Sequence, residues 1–353
     1  MRSIAFTGLS TLGPLVRRHA LLAGLVLFYF TFSAWLAKAV GVPVNDDAGW
    51  VLFKHFLLKL PQMAFFVLFW RLVVLTYVKK VPDRITVLKG EVRSVLTDRE
   101  RMVGAAIAVL IMAMMLIAFA KLKNLIPVLH PFSWDVSFME LDKALHFGRL
   151  PHEYVHAVFG GYYSLMFFTG LYNAWLFLMY MVLLIACFLR PDSMVRMQFL
   201  VAFLLTWAIG GNLLATLFSS AGPVYFPHLG LGDSYDGLLK ALADHAATGA
   251  LTVVDTQALL WTFYSKADSV NAISAFPSMH VASSTLMAIL AFQWSRLAGI
   301  LMTVFAVCIQ IGSVLLAWHY AVDGYAGATI AVLCWLIAGV LVRRFGGFEG
   351  AQR

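Results

Sequence analysis

The sequence predicts an all-α fold: a polytopic integral membrane helix bundle with about eight transmembrane helices. Three observations carry this. The 353 residues are 61% hydrophobic and 12% charged, with a mean hydropathy of +0.83, whereas a soluble domain carries roughly 25% charged residues. Apolar runs of about 20 residues recur, the length that crosses a hydrocarbon core. These runs are continuous rather than alternating, and in lipid only helices or closed barrels satisfy their own backbone, so helices are expected.

Taken in order, Arg2, Arg17 and Arg18 precede an apolar run over Leu21–Val40. Ala37-Lys38-Ala39 imitates a signal-peptidase site, but the run is too long for a signal h-region, so an uncleaved first helix is expected. The stretch Trp50–Leu60 sets Lys54, His55 and Lys59 among apolar residues and reads as interfacial. A second span follows over Pro61–Val78, with Arg71 inside it and expected to snorkel to the cytoplasmic surface. Lys79–Arg101 is the most basic segment of the chain and is expected in the cytoplasm.

A third span covers Val103–Ala120. Pro131–His156 then repeats Trp134, Phe138, Leu141 and Leu145 at helical spacing beside Asp135, Glu140, Asp142 and Lys143, as an amphipathic segment in the outer interface would. A fourth span ends near Leu189. A fifth runs over Met197–Phe218, with Gly210-Gly211-Asn212 as a bend or close-packing point. Ser219–Ser274 is polar enough to leave the membrane and holds a surface helix near Ser234–His245. The last three spans are Ser278–Gln293, Leu297–Leu316 and Asp323–Val342, joined by a short turn at Trp294-Ser295-Arg296 and closed by Arg343-Arg344.

From a cytoplasmic N-terminus, this count returns the C-terminus to the cytoplasm and puts every short basic loop there. The net charge of +8 is thereby explained, and no nucleic-acid partner is expected; the partner is the bilayer. Cys187, Cys308 and Cys334 each lie in an apolar run and read as small buried hydrophobes, with no zinc or disulfide spacing. There is no internal repeat and no separable soluble domain. Residues 1–102 form N-terminal helices and the basic loop; residues 103–353 carry the chemistry.

That chemistry is expected from Ser274-Ala275-Phe276-Pro277-Ser278-Met279-His280 and from His319-Tyr320-Ala321-Val322-Asp323. Both fall at span ends on the outer face, where clustered ionisable groups point to function. On a helix, residues four apart lie about 6 Å apart on one face, so Asp323 can fix one nitrogen of His319 as N–H and leave the other as a directed lone pair. Pro277 and Ser278 suit a helix start, whose N–H groups form an anion site. His280, one turn in, can act as acid and base. Two histidines and a carboxylate could also form an open metal triad, but no further ligand motif accompanies them. No metal and no cofactor is expected.

These residues resemble the type 2 phosphatidic acid phosphatase superfamily, the integral-membrane group of lipid phosphate phosphatases and phospholipid head-group transferases. Its second motif reads Pro-Ser-x-His and its third ends His-x-x-x-Asp, matched by Pro277, Ser278, His280, His319 and Asp323. The fuller strings look most like the inositolphosphotransferase branch, related to inositol phosphorylceramide synthase. The likeness is specific over Phe276–Gly327 and looser at Asp142, Phe147-Gly148, Ala221-Gly222-Pro223 and Tyr225. It implies a six-helix phosphatase-like core in which His319 becomes a phosphohistidine, Asp323 orients it and His280 is the acid/base. The substrate would be a phospholipid or lipid phosphate, and the acceptor a hydroxyl compound or water.

The chain departs from that pattern in its phosphate grip. The family's first motif is Lys-x6-Arg-Pro, yet Arg190-Pro191 lacks the lysine and lies on the cytoplasmic side. The Ser-Arg pair ahead of the third-motif histidine is here Gly312 and Ser313. Phosphate must then be met by Ser278, backbone N–H groups, and Lys266, His228 or Arg149 folding in. Asp142, Tyr320, Pro223 and Tyr225 are substrate-side candidates, with a solvated carboxylate as the alternative for Asp142 and a plain turn for Gly222-Pro223. A proton-coupled transporter is the competing class, but it needs ionisable groups through the membrane depth, and Arg71 is the one obvious mid-span charge.

Overall fold

The computed structural model describes residues 3–41, 47–247, 249, 252–265 and 273–348, and the described residues contain no strand. The N-terminal half holds α1 (Ser3–Val40), α2 (Asp47–Val73, prolonged by a π turn at Val74–Val78), α3 (Arg84–Thr97) and α4 (Arg99–Leu129), then the short α5 (Asp135–Leu145) and α6 (Pro151–Phe159), and α7 (Tyr162–Phe188). Next, α8 (Met194–Leu205) runs through a π-helical stretch (Thr206–Leu214) into a last turn, α9 (Ala215–Leu217). Beyond two single 3-10 turns come α10 (Asp236–Ala246), α11 (Val253–Ser265), α12 (Met279–Trp294), α13 (Arg296–Leu315) and α14 (Ala321–Phe345).

Helix starts follow capping chemistry. Asp98, Ser193, Ser278 and Ser295 each precede a helix and accept a first-turn N–H, beginning α4, α8, α12 and α13. Seven segments among the described residues are long and apolar enough to cross a membrane: Gly13–Val40, Phe56–Val78, Arg99–Leu129, Tyr162–Phe188, Met194–Leu217, Arg296–Leu315 and Ala321–Phe345. The chain is an integral membrane protein. The remaining expected span, α12, has 16 residues and rises only ~24 Å, short of a ~30 Å core. Its length is set between Ser278 and Ser295, the caps at its start and at the start of α13.

Several expectations are corrected. Trp50–Leu60 is no separate interfacial segment; it is continuous with the second span in α2, and Pro61 lies inside that helix. Arg71 of the same helix reaches Glu91 of α3 with two bonds, at 2.5 and 2.7 Å. The third span continues past Ala120 through Lys121 and Lys123 to Leu129. The amphipathic segment keeps Phe138 buried and Glu140 exposed as expected, but four of its residues face the other way. Asp135 and Asp142 are 1% and 2% exposed, whereas Leu141 and Leu145 are 44% and 54% exposed. The carboxylates turn inward because helix N-termini await them there.

The Gly210-Gly211-Asn212 expectation falls on the π-helical stretch. There the glycines admit Met279 and Phe119, while Asn212 receives a hydrogen bond from Tyr29 and donates toward the Phe119 carbonyl. One end of the bundle gathers Arg18 with Glu100, Arg101 with the Phe188 carbonyl, Pro191 against Gly104, and Gly347 against Arg17. The other end gathers the links that precede α12 and α14.

Candidate active site

The link between α13 and α14 is short and wholly tied down. The Ser313 carbonyl accepts the N–H groups of Trp318 (3.0 Å) and His319 (3.1 Å), and Ala317 turns the chain at φ +59°. The first-turn N–H groups of α14 at Ala321 and Val322 donate to the Asp142 carboxylate at 2.8 and 3.0 Å. Asp142 therefore caps α14 from another helix, a favourable place for an anion. Asp135 does the same for the neighbouring loop, accepting from Ala221 N–H, Gly222 N–H and the Tyr320 hydroxyl at 2.8–3.1 Å. Gly222 is required there: its φ is +99°, and a Cβ would fall 2.6 Å from the Trp318 carbonyl oxygen. Burial lifts Asp142 to about 6 from 3.8, with the two backbone bonds opposing it. Burial also raises Asp135, opposed by its own backbone bonds.

On this frame His319 Nδ1 lies 3.2 Å from Asp323 Oδ2, which also accepts the Tyr320 N–H at 3.1 Å. The Asp323 carbonyl accepts the Ser278 N–H at 2.9 Å, stitching the start of α12 to the start of α14. His280 thereby comes beside His319, ring centroids 5.8 Å apart at 64°. Its imidazole is held between Tyr172 and Trp175, at 4.2 and 3.9 Å. Trp175 is fixed in turn by its indole N–H, which donates to Ser283 at 2.9 Å. Both histidines face one cavity of about 360 Å3, whose other walls include Lys123, Asn124, Trp175 and Trp207. Most of its lining is apolar and aromatic, with a few polar groups among them, the usual form of a small-molecule site.

A family model described as the PAP2 superfamily matches residues 136–337, more than half of the chain. The chain belongs to the PAP2 superfamily. No curated protein and no solved structure gives a significant match. Membership in the PAP2 superfamily supports phosphatase or phosphotransferase chemistry on phosphate esters, with lipid substrates in a membrane as the natural class.

The structure brings together three of the residues singled out in the sequence, His280, His319 and Asp323, and sets others elsewhere. Ser278 does not reach the cavity: it is fully buried, and its Oγ accepts the Val281 N–H. Arg149, in the link before α6, is exposed and faces Glu153 at 3.7 Å. His228 is exposed and packs on Trp261 and Tyr225 rather than lining the cavity. Asp142 spends both oxygens on backbone N–H groups. Tyr320 points its hydroxyl to Asp135, not to the cavity. Tyr225 does line the cavity while donating its hydroxyl to the Gln257 carbonyl. Pro223 lies behind His319, beside Tyr320 and Asp142. Lys266 lies outside the described residues.

Two residues escape a reading of the sequence. Asp135 looks like part of a solvated face, and nothing local reveals its partners 86 and 185 positions away. Lys123 falls just beyond the expected end of the third span. A signal does exist: Leu116, Phe119, Ala120, Lys123 and Asn124 repeat at helical spacing and all line the cavity. Among the described residues, no group of three or more His, Cys, Asp and Glu is placed to hold a metal ion.

Proposed function

We propose that this protein is a membrane-embedded phosphotransferase that moves a phospho-head group from a lipid donor to a hydroxyl acceptor. One observation carries the reading: His319 is paired to Asp323 and lies beside His280 in the wall of a largely apolar cavity. Asp323 accepts from His319 Nδ1–H, which leaves the Nε2 lone pair free to attack. In the first step Nε2 bonds to phosphorus and the ester P–O bond breaks, while His280 gives its proton to the departing oxygen. In the second, His280 takes the proton of the acceptor hydroxyl, that oxygen bonds to phosphorus, and the P–N bond breaks. His319 is then restored.

Hydrolysis uses the same phosphoenzyme with water as acceptor. The apolar lining supports transfer, because excluding water lets a bound hydroxyl compete. In this reading residues 103–353 form the catalytic part, both termini are cytoplasmic, and the histidines work at the extracytoplasmic face. The basic end of the bundle supports that orientation. Resemblance to the inositolphosphotransferase branch, which moves inositol phosphate, makes an inositol phospholipid donor with ceramide as acceptor the first pair to try.

The test is an acceptor screen. Purified protein in detergent or vesicles receives a phospholipid donor with inositol, glycerol or ceramide, and products are resolved by mass. A new phosphodiester is expected, together with acid-labile phosphate on the protein, inhibition by vanadate, and turnover unchanged by chelators. Free phosphate alone with every acceptor would assign the phosphatase instead. Loss of activity on chelation with recovery on adding zinc would replace the mechanism.

A further inference from the structure

Neither family phosphate grip is present in this chain, yet a phosphoryl group between His280 and His319 brings charge into an apolar cavity. We infer that Lys123 supplies the missing cation and binds the non-bridging phosphoryl oxygens, with Asn124 beside it as a neutral donor. The inference rests on the phosphotransfer reading above, and it concerns a residue upstream of the matched residues 136–337.

Four observations lead there. Lys123 lines the same cavity as both histidines. It lies inside a membrane-crossing helix, where an ammonium is costly unless a counter-charge serves it. Among the described residues no carboxylate forms an ion pair with it, whereas Arg18, Arg71, Lys143, Arg149 and Arg190 all have one. Of the buried carboxylates near His319, Asp142 and Asp135 spend both oxygens on backbone N–H groups, Asp323 pairs with His319 through Oδ2, and none of the three forms an ion pair with Lys123 among the described residues.

Position adds a further argument. Met279 and His280, the first two residues of α12, line the same cavity. A helix N-terminus favours an anion, and an ammonium on α4 would meet that anion from another wall of the cavity. The attacking nitrogen, the proton donor, the helix terminus and the cation then surround one tetrahedral group. Lysine serves as a point charge here, without the two-pronged geometry of arginine.

Inorganic phosphate is the probe. Trp175, Trp207 and Trp318 line the cavity, so phosphate binding by the full-length protein can be followed by tryptophan fluorescence and calorimetry. Lys123→Met is expected to weaken phosphate binding roughly 10- to 100-fold, and Lys123→Arg to recover part of it. In turnover, Lys123→Met should lower kcat/KM by roughly 10²–10³-fold. Its melting temperature should be equal to or above wild type, because a charge that forms no ion pair with a described carboxylate has left a membrane-crossing helix. A lysine with a merely structural role would give a lower melting temperature and unchanged phosphate affinity.

Equal phosphate binding by wild type and Lys123→Met overturns the inference, as does a wild type that binds no phosphate. If the wild type forms a phosphohistidine and Lys123→Met turns over normally, Lys123 is excluded while the phosphotransfer reading stands. If phosphate binding depends on Lys123 but no phosphoenzyme ever forms, the anion site stands and that reading falls.

Discussion

At one end of the bundle Arg196 is buried against carbonyl groups; at the other, Asp142 is buried against N–H groups. The Arg196 guanidinium donates to the Cys187 carbonyl at the end of α7 (3.1 and 3.4 Å) and to the Gly104 carbonyl (3.0 Å), and faces His19 Nε2 at 3.1 Å. Asp142 accepts from the first turn of α14. Opposite helix poles thus receive opposite charges, as the macrodipole favours. The two clamps differ in their consequence. The Arg196 partners belong to none of the cavity walls, so that clamp only ties helices together. The Asp142 clamp grips the backbone two residues after His319, and any slack in it moves the imidazole. A buried charge at a helix end thus gains functional weight when the backbone it grips also carries a reacting side chain.

The largest expected effect lies at the centre of the catalytic end. His319→Ala should lose the phosphoenzyme and drop turnover by more than about 10⁴-fold, beyond the 10²–10⁴ of one acid–base group. Acid-labile phosphate and initial rates measure this, with the melting curve as a folding control. Full turnover in that variant would end the comparison, since the clamped link would then carry no chemistry.

Next comes the clamp itself. Asp142→Asn keeps the shape but can accept only one of the two N–H bonds. A stability loss of about 1–3 kcal/mol is expected, with kcat/KM falling roughly 10- to 100-fold as His319 drifts. The pH dependence separates this from simple unfolding. The folded carboxyl titrates near 6 and the unfolded one near 3.8, so the native state holds the extra proton between those values. The group's contribution to stability is therefore complete below 3.8 and is lost as pH rises through 6. Its grip on α14 runs the other way, because the ionised form is the stronger acceptor. Wild-type kcat/KM should then fall on the acid side near pH 6 without a matching fall in melting temperature. In Asp142→Asn the part of that limb owed to Asp142 should disappear. An identical acid limb in both proteins would assign it to other groups.

The sequence made the convergence of His280, His319 and Asp323 legible where motif and spacing coincide. His319 and Asp323 lie one helical turn apart, and Pro277-Ser278 announces the start of the helix that carries His280, so these three needed no long-range knowledge. The spans were legible too, because length and apolarity are local. The clamps were not. Asp142 and Arg196 sit on surfaces of ordinary amphipathic appearance, and their partners are 179 and 92 positions away. Lys123 was hidden for a related reason: a charge at the end of an apolar run reads as the membrane boundary, and only the packed cavity shows that it points inward.

The contrasting clamp should show stability without chemistry. Replacing Arg196 by glutamine removes the charge from a fully buried site and leaves carbonyls without donors. A loss of about 1–3 kcal/mol is expected, read as a lower melting temperature in detergent, with kcat/KM per folded molecule within twofold. Should Arg196→Gln lower kcat/KM as far as Asp142→Asn does, the two ends are coupled through the bundle and their separation fails.

The smallest effect is expected at Arg149, and it tests the boundary of the catalytic end. Arg149 is one of the cations that sequence alone offers to a phosphate, yet its side chain is 66% exposed and faces Glu153 at 3.7 Å. Exposed pairs of this kind contribute about 0–1 kcal/mol, because water screens them and ordering two long side chains opposes the attraction. Its guanidinium also lies 5.9 Å from the Tyr154 ring, a second local partner that holds it at the rim. Arg149→Ala should therefore leave the melting temperature within a degree or so and kcat/KM within twofold. Assays at low and high salt sharpen the point: an exposed cation that only steers an anionic head group changes KM at low ionic strength and nothing at high ionic strength. A large loss of kcat at both would mean that α6 folds inward during turnover, and the cation needed by the phosphoryl group would then come from the rim rather than from α4.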